Sequence, residues 1–225
     1  MKEIKYLSLF SGIGGFELGI KNAYEICNAN RSKNRGSEEN TKRNEGQGLQ
    51  PEERKEISSE ERPVSELTSD RTNERPLCIG YSEIDKYACQ VYDKHFKHKN
   101  YGDICSIKWK EVPDIDLLCG GVPCQSWSIA GKRGGFEDER GNMWFQFSKI
   151  LRAKQPKYFL AENVKGLLSH DGGKSMERIC EELCDCGYVI DFEILNAKHF
   201  GVPQSRERVF IIGIRLDLLD KCQIF

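Results

Sequence analysis

Apolar and polar positions along the chain fall into short runs of two kinds, separated by glycine-marked turns. Ile4-Lys-Tyr-Leu-Ser-Leu-Phe10 has the length and content of a strand; Gly12, Gly14 and Gly15 end it, and Phe16 to Ile26 continues with helical spacing. Leu77 to Ser82 reads as the next strand and Lys86 to Phe96 as a helix. Asp116 to Cys119 is a short buried strand, Gly141 to Ala153 a helix, Tyr158 to Ala161 a strand, and a further helix lies within Lys174 to Cys186. Extended structure resumes at Gly187-Tyr188 through Leu195, and the apolar run within Arg208 to Ile214 closes the series. Alternating strands and helices predict an α/β fold with a doubly wound, mostly parallel sheet of Rossmann-like type, whose ligands bind at the carboxyl ends of the strands. There is no internal repeat.

One stretch breaks the pattern. From Asn28 to Arg75 only Ala29, Leu49, Ile57, Val64 and Leu67 are hydrophobic, against 10 Lys/Arg and 11 Asp/Glu. So little apolar surface cannot repay the entropy of ordering, so residues 28–75 read as a disordered polar insertion, with a solvated helix around Pro51 to Leu67 as the alternative. Residues 1–27 and 76–225 then form one domain. With 34 Lys/Arg against 35 Asp/Glu the net charge is -1, so bulk electrostatics do not announce nucleic-acid binding. No apolar run approaches the ~20 residues of a membrane span. The N-terminus lacks a signal-peptide core, and ten cysteines without an export signal point to reduced thiols in the cytoplasm. Cys180, Cys184 and Cys186 lack a second ligand pair, so no metal is expected.

Candidate chemistry begins at Phe10-Ser-Gly-Ile-Gly-Gly15, a strand-to-helix turn where glycines let a ligand approach the backbone. It is not the full G-x-G-x-x-G fingerprint. The next strand ends in Ser82-Glu83-Ile84-Asp85, where an acid can accept hydrogen bonds from ribose hydroxyls, and Asp103-Ile104 follows another short extended piece. Each acid could equally be a helix N-cap or a loop charge. Three acids at successive strand ends favour a nucleoside-bearing cofactor without saying which.

Asp116-Leu-Leu-Cys-Gly-Gly-Val-Pro-Cys124-Gln-Ser-Trp-Ser128 is more specific. A buried strand runs into a proline-fixed turn that presents Cys124 on a loop, a setting suited to a nucleophile rather than a core thiol. The segment resembles the Pro-Cys-Gln motif of DNA (cytosine-5) methyltransferases. Phe10 to Gly15 looks like that family's S-adenosylmethionine turn, and Glu83 with Ile84 and Asp103 with Ile104 fall where its ribose and adenine contacts lie. Glu162-Asn163-Val164 is similar to its Glu-Asn-Val motif, and Phe200-Gly-Val-Pro203 with Gln204-Ser-Arg206-Glu-Arg208 to its Gln-x-Arg-x-Arg region. Five motifs in order across nearly all the chain outside the insertion make the resemblance highly specific.

The resemblance implies transfer of a methyl group from S-adenosylmethionine to C5 of cytosine in double-stranded DNA, in a restriction-modification or phage setting. Cys124 as thiolate would add to C6, Glu162 would donate toward N3, and Arg206 and Arg208 would stabilise charge, Arg208 near O2 and the thiol. The base must be flipped out of the duplex. Pro123, Gln125, Ser126, Asn163 and Gln204 are then candidate substrate or DNA contacts, and Lys132, Arg133 and Arg140 of the following glycine-rich loop candidate phosphate contacts. Members of the family continue into a target-recognition region and return with a last helix and strand, which residues up to Phe225 do not include. This predicts a catalytic half completed by a separate polypeptide, or a truncated product inactive alone. A non-catalytic nucleotide- or DNA-binding scaffold is the reading from another class, weakened by intact Cys124, Glu162, Arg206 and Arg208. A dinucleotide oxidoreductase finds no support in Pro123-Cys124-Gln125.

Overall fold

The computed structural model describes residues 3–44, 75–123 and 143–219. Six strands form one sheet in the order β2-β1-β3-β4-β6-β5. They are β1 (Glu3–Leu9), β2 (Arg75–Ser82), β3 (Leu117–Gly121), β4 (Tyr158–Val164), β5 (Tyr188–Asn196) and β6 (Glu207–Arg215). Strands β1 to β4 pair in parallel, whereas β6 lies antiparallel between β4 and β5. The helices are α1 (Gly15–Asn44), α2 (Lys86–His95), α3 (Met143–Lys154), α4 (Lys174–Asp185) and the short α5 (Leu216–Leu219). Every element expected from the hydrophobic pattern is present.

Side chains alternate across each strand, so the sheet has two differently covered faces. Leu7, Leu9, Leu118, Phe159, Ala161, Val209 and Ile211 point to one, where Trp144, Phe147, Ile150 and Leu151 of α3 and Ile179 and Leu183 of α4 complete the main core. Phe147, Phe159 and Tyr188 continue across this face as edge-on ring pairs, with centroids 5.9 Å and 5.3 Å apart. Tyr6, Ser8 and Cys119 face the other side, toward Glu17 of α1. There Tyr92 of α2 stacks on Tyr81 at 3.7 Å and its hydroxyl donates to Glu17 at 3.0 Å. Helices on both faces make the sheet doubly wound.

Three differences from the sequence reading matter. Helix α1 does not stop near Ile26; it runs on to Asn44, into the polar segment. Losing apolar periodicity removed the signal for packing, not the helix propensity of the Arg, Lys and Glu residues there. The remainder of that segment, 45–74, lies outside the described residues. Glu162, Asn163 and Val164 do not follow strand β4 but belong to it, because β6 extends the ladder beyond the end of β3: Glu162 is the last residue opposite β3, while Val164 still pairs with Arg208. Finally, β5 and β6 form an antiparallel pair, which a β-α reading cannot distinguish from two more parallel strands.

At Gly213 of β6 a side-chain methyl would penetrate the ring of Phe159 on the neighbouring strand. Gly213→Ala is therefore expected to abolish a cooperative melt or lower its midpoint strongly. Phe147→Ala, which empties a fully buried site, is expected to cost about 3–5 kcal/mol, read from the midpoint of urea unfolding.

Candidate active site

The parallel strands bring their carboxyl ends to one edge, and antiparallel β6 starts there. The turns after β1, β2 and β3, the end of β4 and the loop 197–206 between β5 and β6 therefore converge, although they are distant in sequence. Glu162 projects from β4 on the face opposite Ala161. Arg208, on the first turn-proximal residues of β6, reaches it with Nε 2.8 Å from Oε1, both side chains roughly a quarter exposed. The other carboxylate oxygen faces Gly121, where a Cβ would lie 3.3 Å from it. Glu162 is thus held between a cation and the end of β3, three residues before Cys124. With Leu195, Ala197, Phe200, Arg206 and Phe210 this pair lines an apolar-walled cavity of about 350 Å³, within the usual range for a small ligand, about 300–1,000 Å³.

Two asparagines fix the loops around the cavity. Asn163, read from the sequence as a substrate or DNA contact, is 1% exposed. Its Nδ2 donates to the Val122 carbonyl at 3.2 Å and its Oδ1 accepts from the Val164 N–H at 2.8 Å. Its position is therefore inside the protein, tying β4 to the residue before Pro123, because the strand alternation that points Glu162 to the cavity turns Asn163 inward. Asn196, at the end of β5, accepts from the N–H groups of Lys198 and Arg206 at 3.2 and 3.1 Å. The Ala197 N–H also donates to the Arg206 carbonyl at 3.0 Å, so both ends of loop 197–206 are closed on each other. Sequence reading passed over Asn196; an Asn at the end of an apolar run is its only signal, and many caps share it. Gln204 and Arg206 are exposed on this loop and Pro123 is half-buried at the rim. Cys124, Gln125, Ser126, Lys132, Arg133 and Arg140 lie outside the described residues.

The glycine turn forms a second part of the edge. Phe10 adopts a left-handed φ of 52° and Gly12 one of 53°; for Phe10 this is a strained conformation of the kind that collects at functional sites. A Cβ on Gly12 would meet nothing within 4 Å, leaving open space against the backbone. Gly14 instead packs against the ring of Phe96, and Gly15 opens α1. Glu83 accepts from Gly12 N–H at 2.9 Å through one oxygen, and from the Ile84 and Asp85 N–H groups at 2.8 and 2.9 Å through the other. A carboxylate has about four lone-pair positions, so one is left for a ligand. Asp103 caps the Cys105 N–H at 2.9 Å and is otherwise exposed. Asp85 is the N-cap of α2, bonding Ala88 N–H at 2.7 Å, which is the alternative role considered for each acid. Ile84 is 75% exposed beside Glu83, whereas Ile104 is 4% exposed and packs in the core, its side chain spent on the interior.

Cys119 of β3 shows what a structural thiol is like here. It is fully buried, its Sγ lies 3.5 Å from the Leu7 carbonyl, and burial, reinforced by Glu17, pushes its pKa well up. No helix among the described residues is long and apolar enough to cross a membrane.

Sheet order and the single inserted antiparallel strand define a Rossmann-like α/β fold. The family model for C-5 cytosine-specific DNA methylases matches residues 71–223, and the chain belongs to that family. It is 38% identical over 227 residues to the orphan methyltransferase M.Rho11sI of Bacillus phage rho11s, an alignment covering 98% of this chain and 35% of the relative. To the type II methyltransferase M.NgoBI of Neisseria gonorrhoeae it is 51% identical over 132 residues, covering 59% of this chain and 42% of the relative. The solved structure of the Entamoeba histolytica methyltransferase EhMeth shares the fold at 19% identity, with a TM-score of 0.61 over 96% of this chain and 54% of that one. The chain thus spans about two fifths or less of the length of these curated relatives.

Replacing Asn163 by Ala would orphan the Val122 carbonyl next to Pro123. The expected loss is about 1–3 kcal/mol of unfolding free energy, measured by chemical denaturation, and an unchanged midpoint would contradict the anchoring.

Proposed function

We propose that this chain carries the catalytic machinery of a DNA (cytosine-5-)-methyltransferase acting on a flipped cytosine in double-stranded DNA. The observation that carries the reading is the Arg208–Glu162 pair at 2.8 Å lining a small cavity at the carboxyl edge, in a chain whose family methylates this base. In a duplex the stacked neighbours cover the ring faces through which C6 and C5 must react, and a cavity of this size fits one extruded base and not the helix.

C5 of cytosine is a weak nucleophile. Cys124, as thiolate, forms a bond to C6, and the displaced ring electrons run toward N3 and make C5 an enamine carbon. Glu162 is assigned to the N3 edge, where its protonated form would supply the proton that this shift calls for, while Arg208, which pairs with it, orients the carboxyl group and offers its guanidinium to the O2 side. Once C5 carries the methyl group, its proton passes to a solvent base, N3 returns its proton to Glu162, and the Cys124 thiolate leaves C6 with the C–S electron pair, which restores the aromatic ring. Apolar Leu195, Phe200 and Phe210 line the cavity around the pair.

The donor set on the adjoining edge fits S-adenosylmethionine, which supplies an electrophilic methyl group on a sulfonium when bound. Gly12 leaves backbone open to a ligand, Glu83 keeps one acceptor position for a ribose hydroxyl, Asp103 is exposed for the adenine, and Ile84 offers an apolar surface beside them. Gln125, Ser126 and Gln204, with Lys132, Arg133 and Arg140, are assigned to the DNA side, a phage or restriction-modification setting is inferred from the relatives, and the polar segment 28–75 is assigned no part in the chemistry. The choice of DNA sequence is assigned to polypeptide beyond these motifs, on the same chain or a separate one.

Transfer of labelled methyl groups to DNA cytosine tests the reading, run with the chain alone and with a target-recognition region supplied. Cys124→Ser is expected to abolish transfer, and Glu162→Gln to slow it by roughly 10²–10⁴; transfer that persists in the serine variant rules out the covalent route. Deleting Ser32 to Glu74 is expected to leave a cooperative thermal melt, and its loss would show that the segment belongs to the fold.

A further inference from the structure

Of the acids of the proposed cofactor edge, Asp103 is exposed and Glu83 half-buried, and their backbones are tied together from one point. After α2 the chain returns along β2: the Tyr81 N–H donates to the Lys99 carbonyl at 2.9 Å and the Tyr101 N–H to the Tyr81 carbonyl at 2.7 Å, pairing Asn100 with Tyr81 in parallel. From this position the Asn100 carboxamide reaches in two directions. Its Oδ1 accepts from the Gly102 N–H at 2.8 Å and lies 3.4 Å from the Glu83 N–H; its Nδ2 donates to the Glu83 carbonyl at 3.1 Å and to Cys89 Sγ at 3.3 Å. One side chain therefore holds both backbone groups of Glu83 and the residue preceding Asp103. Ser82 closes the arrangement by donating from Oγ to the Gly102 carbonyl at 2.6 Å.

We propose that Asn100 is a positioning residue that sets the separation of Glu83 and Asp103 for the adenosine half of the cofactor. The proposal rests on the cofactor reading above. A carboxamide suits the task because it offers a donor and an acceptor side by side without a charge; a carboxylate or ammonium there would repel or pair with the acids it is meant to hold in place. Glu83 and Asp103 each have local anchors, Glu83 on the Gly12, Ile84 and Asp85 N–H groups and Asp103 on the Cys105 N–H; Asn100 joins the two loops to each other, and without it the cost of fixing their separation when ligand binds appears as lost affinity.

The test is calorimetric titration of the full chain and its variants with S-adenosylhomocysteine and, separately, with adenosine. Asn100→Ala is expected to weaken both by the same factor, roughly 5- to 30-fold, the equivalent of one or two lost backbone-anchoring hydrogen bonds, with a cooperative melt retained. Should the alanine variant fail to fold, the isosteric Asn100→Asp keeps the acceptor for Gly102 but cannot donate to the Glu83 carbonyl, and its affinity is expected to fall at least as far. Wild-type affinity in either folded variant overturns the proposal. So does a loss confined to S-adenosylhomocysteine, which would place the effect at the amino-acid half. Absence of binding by the unaltered chain would instead refute the cofactor reading itself.

Discussion

The site depends on where one antiparallel strand is inserted. Because it runs antiparallel to β4, β6 begins where the parallel strands end, so Arg208, its second residue, lies opposite Val164 and 2.8 Å from Glu162. Had the last strand run parallel, its first residues would lie at the opposite edge of the sheet, about 20–30 Å away at the ordinary rise of a strand of this length. The pair itself is weak ground for stability: a half-buried ion pair recovers little more than the desolvation it costs. Its value is orientation. It aims a carboxylate into a cavity walled otherwise by Leu195, Ala197, Phe200 and Phe210, with Arg206 beside them.

Around this edge, neutral carboxamides do the anchoring. Asn163 ties β4 to Val122, the residue before Pro123, Asn196 closes the loop that carries Arg206, and Asn100 joins the Glu83 and Asp103 loops. Each satisfies backbone groups that the sheet leaves unpaired as its strands run out. Each does so without adding charge to a region that already holds Glu162, Arg206, Arg208, Glu83 and Asp103. Below them the two-faced packing, with aromatic pairs on one side and the Glu17–Tyr92 contact on the other, supplies the rigid base from which exposed loops can present polar groups.

Much of this was legible from the residues. Periodicity located all six strands and the four longer helices, since burial on a sheet face or helix stripe leaves its mark on spacing; the short α5 was not read. The charged motifs were legible because glycine, proline, cysteine and paired arginines in a fixed order are rare outside such a site. Helix α1 was read too short, because a polar helix beyond the core carries no periodic signal. Asn163 was assigned to the DNA side, since a motif names residues and not the direction their side chains take. Asn100 and Asn196 passed unnoticed because asparagine beside a turn is commonplace, and only the partner it meets across the fold gives it a role.

The amino-acid sequence by itself determined the α/β class, the family-specific motifs and the polar character of the segment after the first helix, all of which are encoded within a few neighbouring residues. The tertiary structure alone decided the antiparallel placement of β6, the meeting of Glu162 with Arg208, the inward turn of Asn163 and the spanning reach of Asn100. These are relations between groups between 17 and 46 residues apart, and chain closure, strand register and side-chain alternation set them only when the sheet is assembled.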